Sequence, residues 1–273
     1  MEEIKGNLRS TMPDLYHLLQ TGRDALVRLW GVPGRETHPW WIDSRRRLTS
    51  FQNQYEGERC FVIGNGPSLK QTDLSYLKDE FTFGMNRIYL AFPDWGFQTS
   101  FLVSVNDLVI QQCSQDFQEL SLPKFFSWRS KDLLYPAGKP DSQTHFLNTS
   151  YTGPKFAKQI GSRFWEGATV TNICLQLAYC MGFREVYLIG VDHSFTSKGK
   201  ANQTVVSSGA DRNHFSPEYF GKGFRWQLPD LDTSEVAYQL ALDQYRAADR
   251  QVFDATIGGK LTIFPKVDYL DLF

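Results

Sequence analysis

The chain has 273 residues, with 29 basic against 30 acidic side chains and a net charge of −1. Hydrophobic residues make up 41% and charged ones 22%, with aromatics at 15%, the profile of a folded globular chain. This excludes a disordered protein, a collagen and a coiled coil, and the balanced charge argues against general nucleic-acid binding, which needs a basic excess.

From Pro13 to Trp30, Leu15, Leu18, Leu19, Leu26, Leu29 and Trp30 recur at helical spacing until Gly31, Pro33 and Gly34 stop the pattern. Trp40, Trp41 and Ile42 follow, beside Arg45, Arg46 and Arg47. Residues 1–50 therefore read as an N-terminal helical appendage. Residues 13–47 are a candidate peripheral membrane contact, since Trp beside Arg suits an interface. The opening Met1–Lys5 does not read as a signal peptide, and no apolar run reaches the ~18 residues of a membrane span. A cytoplasmic location is expected, with attachment at the inner face of a membrane as its variant.

Residues 51–273 read as one nucleotide-binding α/β domain. Short apolar runs at Cys60–Ile63, Phe81–Gly84, Phe101–Val105, Lys124–Trp128, Val186–Ile189 and Gln251–Phe253 have the length and composition of buried strands. A helix is expected after the Thr169 cap, with Val170, Ile173, Cys174, Leu177 and Met181 on one face and Gly182 as its stop. A second is expected over Ser234–Ala248, with Val236, Leu240, Ala241 and Tyr245 inward and Asp232 or Thr233 as cap. Strands alternating with helices imply a Rossmann-like, mostly parallel sheet with helices on both faces. The stretch from Ser194 to Asp232 is long, polar, Gly-rich and aromatic, without periodicity, and reads as a lid over a site. Cys60, Cys113, Cys174 and Cys180 form no CxxC pair and read as reduced core thiols; no metal site is expected from them.

In an open parallel sheet the site lies beyond the carboxyl ends of the strands. Three strand ends there deliver an asparagine: Gly64-Asn65-Gly66-Pro67-Ser68, Gly84-Met85-Asn86 and Val105-Asn106-Asp107. A carboxamide offers both a donor and an acceptor, which suits a base edge or ribose hydroxyls. Gly64 and Gly66 leave room for a close ligand, and Ser68 is placed to cap a following turn. The segment Gly190-Val191-Asp192-His193-Ser194 brings a carboxylate, an imidazole and a hydroxyl to one strand end, and the lid adds His214. Asp192 beside His193 or His214 is the expected orienting carboxylate of a general base. Lys198, Lys200, Arg212, Lys222 and Arg225 give the lid a local basic excess suited to phosphate.

Over Cys60–Phe92 and Thr169–Gly223 the sequence resembles the 6-hydroxymethylpterin diphosphokinase MptE-like family, which is similar in turn to bacterial CMP-sialic-acid-dependent sialyltransferases. The runs FVIGNGPSLKQTDLSYLKDEFTFGMNRIYLAF and GFREVYLIGVDHSF carry the likeness, which extends over about residues 55–270. The resemblance implies that Asn65, Asn86 and Asn106 contact a CMP moiety, with the Gly64–Ser68 loop around it. Ser194 stands where the sialyltransferases place a phosphate-contacting tyrosine, and Gly167 where they place a basic residue ahead of the long helix. Their His-Tyr-x-Gly-His pattern reads His214-Phe215-Ser216-Pro217-Glu218 here, so His214 and Glu218 are the alternative bases.

The expected function is a nucleotide-dependent transferase, foremost a glycosyltransferase taking a CMP-activated sugar into surface polysaccharide or glycan synthesis. It would need no cofactor, with Arg212, Lys222 and Arg225 on the phosphate and a glycan as acceptor. An ATP-dependent pterin diphosphokinase is the alternative, with Asp107 and Asp192 holding Mg2+. A catalytically silent nucleotide-sugar scaffold is the third reading, and homo-oligomerisation is left open.

Overall fold

The structure is a computed structural model that describes residues 34–196 and 199–273. The chain divides into two compact units, Met1–Asp43 and Ser44–Phe273. The helix expected over Pro13–Trp30 and the lid residue Lys198 lie outside the described residues. In the first unit the Arg35 guanidinium lies 4.7 Å from the Trp41 ring centroid and 2.8 Å from Glu36. Helix α1 (Pro39–Leu48) ends in Arg45, Arg46 and Arg47, cations at the negative end of its dipole. No helix among the described residues is long and apolar enough to cross a membrane.

The second unit is built on a seven-stranded, all-parallel sheet. In chain order the first two strands are β1 (Arg59–Ile63) and β2 (Phe81–Met85), followed by the short helix α2 (Phe92–Trp95). Strand β3 (Phe101–Ser104) leads into α3 (Asp107–Gln112) and α4 (Ser114–Glu119). Then come β4 (Lys124–Ser127), α5 (Lys131–Leu134) and β5 (Thr144–Leu147). The two-residue strands β6 (Thr149–Ser150) and β7 (Phe164–Trp165) pair with each other. Helix α6 (Val170–Met181) and β8 (Glu185–Ile189) follow. The lid contains a hairpin of β9 (Thr204–Val206) and β10 (Arg225–Gln227), and the unit closes with α7 (Leu231–Ala247) and β11 (Gln251–Asp254).

The sheet order is β11-β8-β1-β2-β3-β4-β5. The chain therefore runs outward from β1 to β5, returns, and lays β8 on the other side of β1. The switch point falls between β1 and β8, and a crevice must open there beyond their carboxyl ends.

Alternation along the strands divides the core between two faces. Phe125 joins the layer under α6, while its neighbour Phe126 meets Phe117 of α4 on the opposite face, rings 5.2 Å apart. Helix α6 packs on β1, β2 and β3 and against α7, which buries it on nearly every side rather than on the single face expected. Its Thr169 cap and left-handed Gly182 stop stand where the sequence puts them. All four cysteines are free and buried.

The structure departs from the sequence reading at β5 and at α7. Strand β5 was not expected, because its Thr144 and His145 break the apolar run; both are buried, with Thr144 bonded to Asp141 and Tyr135. Helix α7 begins at Leu231, three residues early, because Asp230 supplies the cap by accepting from the Thr233 amide. Its buried face is Ser234, Ala237, Tyr238, Ala241, Leu242 and Tyr245, whereas Val236 is 52% exposed. At Ala237 the helix passes close to Gly167: a Cβ there would lie 2.4 Å from that of Ala237.

Candidate functional site

The β1 and β8 turns are locked to each other. Gly64 and Gly66 donate their amides to Ile189 and Gly190 at 2.7 and 2.9 Å. A Cβ on Gly64 would meet the Gly190 carbonyl oxygen at 2.3 Å, and one on Gly66 would meet Asp192 Oδ2 at 1.8 Å. The space these glycines leave is thus filled largely by the protein itself. Asp192 completes the joint, accepting from Ser68 Oγ at 2.6 Å and from the Ser68 amide at 3.2 Å.

Above this joint lies a cavity of about 230 Å3, and all three asparagines line it. Asn65 donates from Nδ2 to the Met85 carbonyl at 3.1 Å, while its buried Oδ1 has no hydrogen-bond partner. An orphaned buried acceptor is costly, so this oxygen calls for a donor on a ligand. Asn86, at φ 49°, accepts from Ser104 Oγ at 2.9 Å. Asn106 caps α3 through Oδ1, accepting from Leu108 and Val109, and points Nδ2 at Gln227 of β10, 3.5 Å away.

Two long helices begin at the cavity wall. Thr169, Val170 and Thr171 open α6; Asp230, Leu231 and Ser234 open α7. The α6 end, capped by the neutral Thr169, favours an anion, whereas the α7 end is already met by the Asp230 carboxylate. The backbone around the cavity is also strained: Asn86, Ala168 and His193 line it at φ of 49°, 57° and 52°.

The lid contributes His214, whose Nδ1 lies 2.7 Å from Asp211 Oδ2. Asp211 also accepts from the Asn213 and Phe220 amides, at 2.8 and 3.2 Å. Burial works against its charge, but the His214 ring and these amides outweigh it and hold the carboxyl below its usual range. A carboxylate on Nδ1 fixes the imidazole with its proton there and leaves Nε2 as the proton acceptor. The His214 ring stacks on Tyr219, with centroids 4.0 Å apart and planes 14° apart.

The predicted site residues divide. Gly64, Asn65, Gly66, Asn86, Asn106, Asp192, His193, Ser194 and His214 all border the cavity. Asp192 orients neither histidine, because Ser68 occupies its carboxylate; Ser68 itself lies behind the turn and not on the wall. His193 pairs instead with Glu235 of α7 at 2.9 Å. Glu218 is exposed and off the wall, and Arg87 binds its carbonyl at 3.0 Å. Arg212, Lys222 and Arg225 are exposed on the outside of the lid, with Arg225 tied to Gln111 at 2.9 Å. Charges without partners stay in water, so the basic excess of the lid does not turn inward. No Lys or Arg is found among the described residues lining the cavity. Asp107 also stands off the wall, 3.0 Å from Arg129 Nε.

Sequence reasoning missed Asp211, Tyr219 and Gln227. Asp211 left a signal, a carboxylate three residues before a histidine in a loop; Gln227 left none.

A family model described as 6-hydroxymethylpterin diphosphokinase MptE-like matches residues 42–198. Among solved structures, the Maf glycosyltransferase from Magnetospirillum magneticum AMB-1 is similar at 18% identity and a TM-score of 0.48. That match covers 83% of this chain and only 38% of the other, so the chain spans well under half of that protein. A mammalian sialyltransferase, in complex with Gal-beta-1-3GalNAc-ortho-nitrophenol, is similar at 12% identity and a TM-score of 0.37, covering 82% of this chain and 86% of that one. No curated protein matches the sequence.

Proposed function

The chain belongs to the 6-hydroxymethylpterin diphosphokinase MptE-like family, and from that premise we propose that it is a nucleotide-dependent transferase whose transferred group is a sugar held on CMP. The observation that carries this reading is the Asp211–His214 pair, 2.7 Å apart, closing a switch-point cavity that has an unpaired Asn65 acceptor in its wall.

The Asn65 oxygen would take a donor from the base or ribose. The α6 end would face the phosphate. An acceptor hydroxyl gives its proton to His214 Nε2 as its oxygen bonds to the anomeric carbon. The bond from that carbon to the phosphate oxygen breaks, and CMP departs with the electron pair. The growing charge on the phosphate is met by helix-terminal amides that need no reorganisation.

The cavity chemistry also bears on the size of the anion. A phosphodiester carries a single negative charge, which a helix end can meet, whereas a triphosphate carries several and needs cations or metal. Asp107 is paired with Arg129 and stands off the wall, while Asp192 lines the cavity and accepts from Ser68. The described part of the cavity wall offers no Lys or Arg to balance a polyphosphate, which supports a CMP-linked donor over the diphosphokinase of the family description. A glycan acceptor, a role in surface polysaccharide synthesis and peripheral membrane contact through residues 13–47 belong to the same proposal.

A thermal-shift series with CMP, CDP, AMP and ATP, each with EDTA or with Mg2+, tests the reading. Stabilisation by CMP in EDTA is expected. Stabilisation by ATP only, and only with Mg2+, would replace it with the kinase.

A further inference from the structure

The lid holds the His214 base, yet one of its anchors, Arg87, stands just past the end of β2. Arg87, directly after Asn86, donates from Nη1 to the carbonyl oxygens of Glu218 and Tyr219. Its guanidinium also lies 5.2 Å from the Phe224 ring centroid. Arg87 is itself fixed from behind: Nε lies 3.4 Å from the Tyr89 hydroxyl, which donates to Asp116 of α4 at 2.5 Å. Tyr219 is thereby gripped at its carbonyl by Arg87. Its ring, almost fully buried, is the surface on which His214 stacks at 4.0 Å. Asp211 fixes the rotation of the imidazole about its Nδ1; Tyr219 fixes the plane in which the ring lies.

We propose that Arg87 is a positioning residue for the His214 base, acting through Tyr219. The inference rests on His214 being the base. A strand end at the donor cavity thus controls whether the base stands in register, and a misplacement of about 1 Å costs on the order of 100-fold in rate. Five histidines are present in the chain, so the His214 ring protons can be assigned by their loss in His214→Gln.

The test compares wild type, Arg87→Lys, Arg87→Ala and Tyr219→Leu by proton NMR of the histidine rings, with CMP thermal shift as the check on folding. In the wild type the Tyr219 ring current displaces the His214 protons. Arg87→Ala should remove most of that displacement, as Tyr219→Leu does, and Arg87→Lys should restore part of it, while CMP still stabilises each variant. Unmoved His214 signals in a folded Arg87→Ala protein would overturn the proposal. The kinetic arm uses hydrolysis of a CMP-linked sialic acid and a double-mutant cycle. Arg87→Ala should lower kcat 10- to 100-fold alone and by less than about twofold in a His214→Ala background. Equal losses in both backgrounds would overturn the positioning role. If His214→Ala alone leaves kcat intact, the base assignment fails, and the NMR result still decides whether Arg87 holds the ring.

Discussion

The two walls of the cavity are built in opposite ways. The floor, where the β1 and β8 turns meet, is closed by backbone bonds between Gly64, Gly66, Ile189 and Gly190 and pinned by Asp192 on Ser68. The lid is held mainly by side chains reaching for its backbone. Gln112 uses its carboxamide to bind both the amide and the carbonyl of Arg225, at 2.9 and 2.8 Å, as a neighbouring strand would. Arg87 grips the Glu218 and Tyr219 carbonyls, and a single backbone bond joins Phe215 to Asn65 at 2.8 Å. Side-chain clasps at an exposed edge open without disturbing the core, whereas the floor cannot move without breaking the sheet. In the proposed reaction the fixed wall would recognise the nucleotide, and the removable one carries His214, the proposed base.

The largest effect should come from the chemistry on the lid. His214→Ala is expected to lower turnover about 1,000-fold, with CMP affinity by calorimetry changed by less than about threefold; a comparable loss of affinity would make the ring part of the floor. Next, Gly66→Ala forces a methyl into the Asp192 carboxylate and should reduce unfolding stability by about 3 kcal/mol in urea titrations. A neutral outcome would mean that the two turns are not rigidly joined. Gln112→Ala should reduce global stability by about 1 kcal/mol while exposing the lid to limited proteolysis between residues 199 and 230. Equal protection with and without CMP would erase the contrast between the walls.

The smallest effect is an acid-side one. Asp211 is held below the usual carboxylate range in the folded protein, so its contribution to stability is complete above that range and is lost as pH falls through the folded value. Asp211→Asn should therefore flatten the acid limb of a stability-against-pH curve measured by thermal melting. An unchanged limb would mean that the pair with His214 does not persist in solution.

The floor was far more legible in the sequence than the lid, for a physical reason. A strand buried on both faces must be apolar throughout, so β1, β2 and β8 could be read from composition. A helix with a Thr cap and a Gly stop announces itself, as α6 does. The asparagines were visible because they fall at a fixed place, the end of a strand. The hairpin of β9 and β10 lacks that signature: Thr204 and Val206 are exposed, and its anchors are glutamines and an arginine from distant segments. Partnership of that kind depends on tertiary approach. The same gap explains Arg212, Lys222 and Arg225, whose charge suggested phosphate while their exposure places them in solvent.

A crystal soaked with CMP tests the central claim most directly. The account predicts the pyrimidine or ribose donating to Asn65 Oδ1, the phosphate at the first turn of α6, and His214 Nε2 facing the position beyond it. CMP lying elsewhere, or entering only after His214 has swung away from Asp211 and Tyr219, would contradict it.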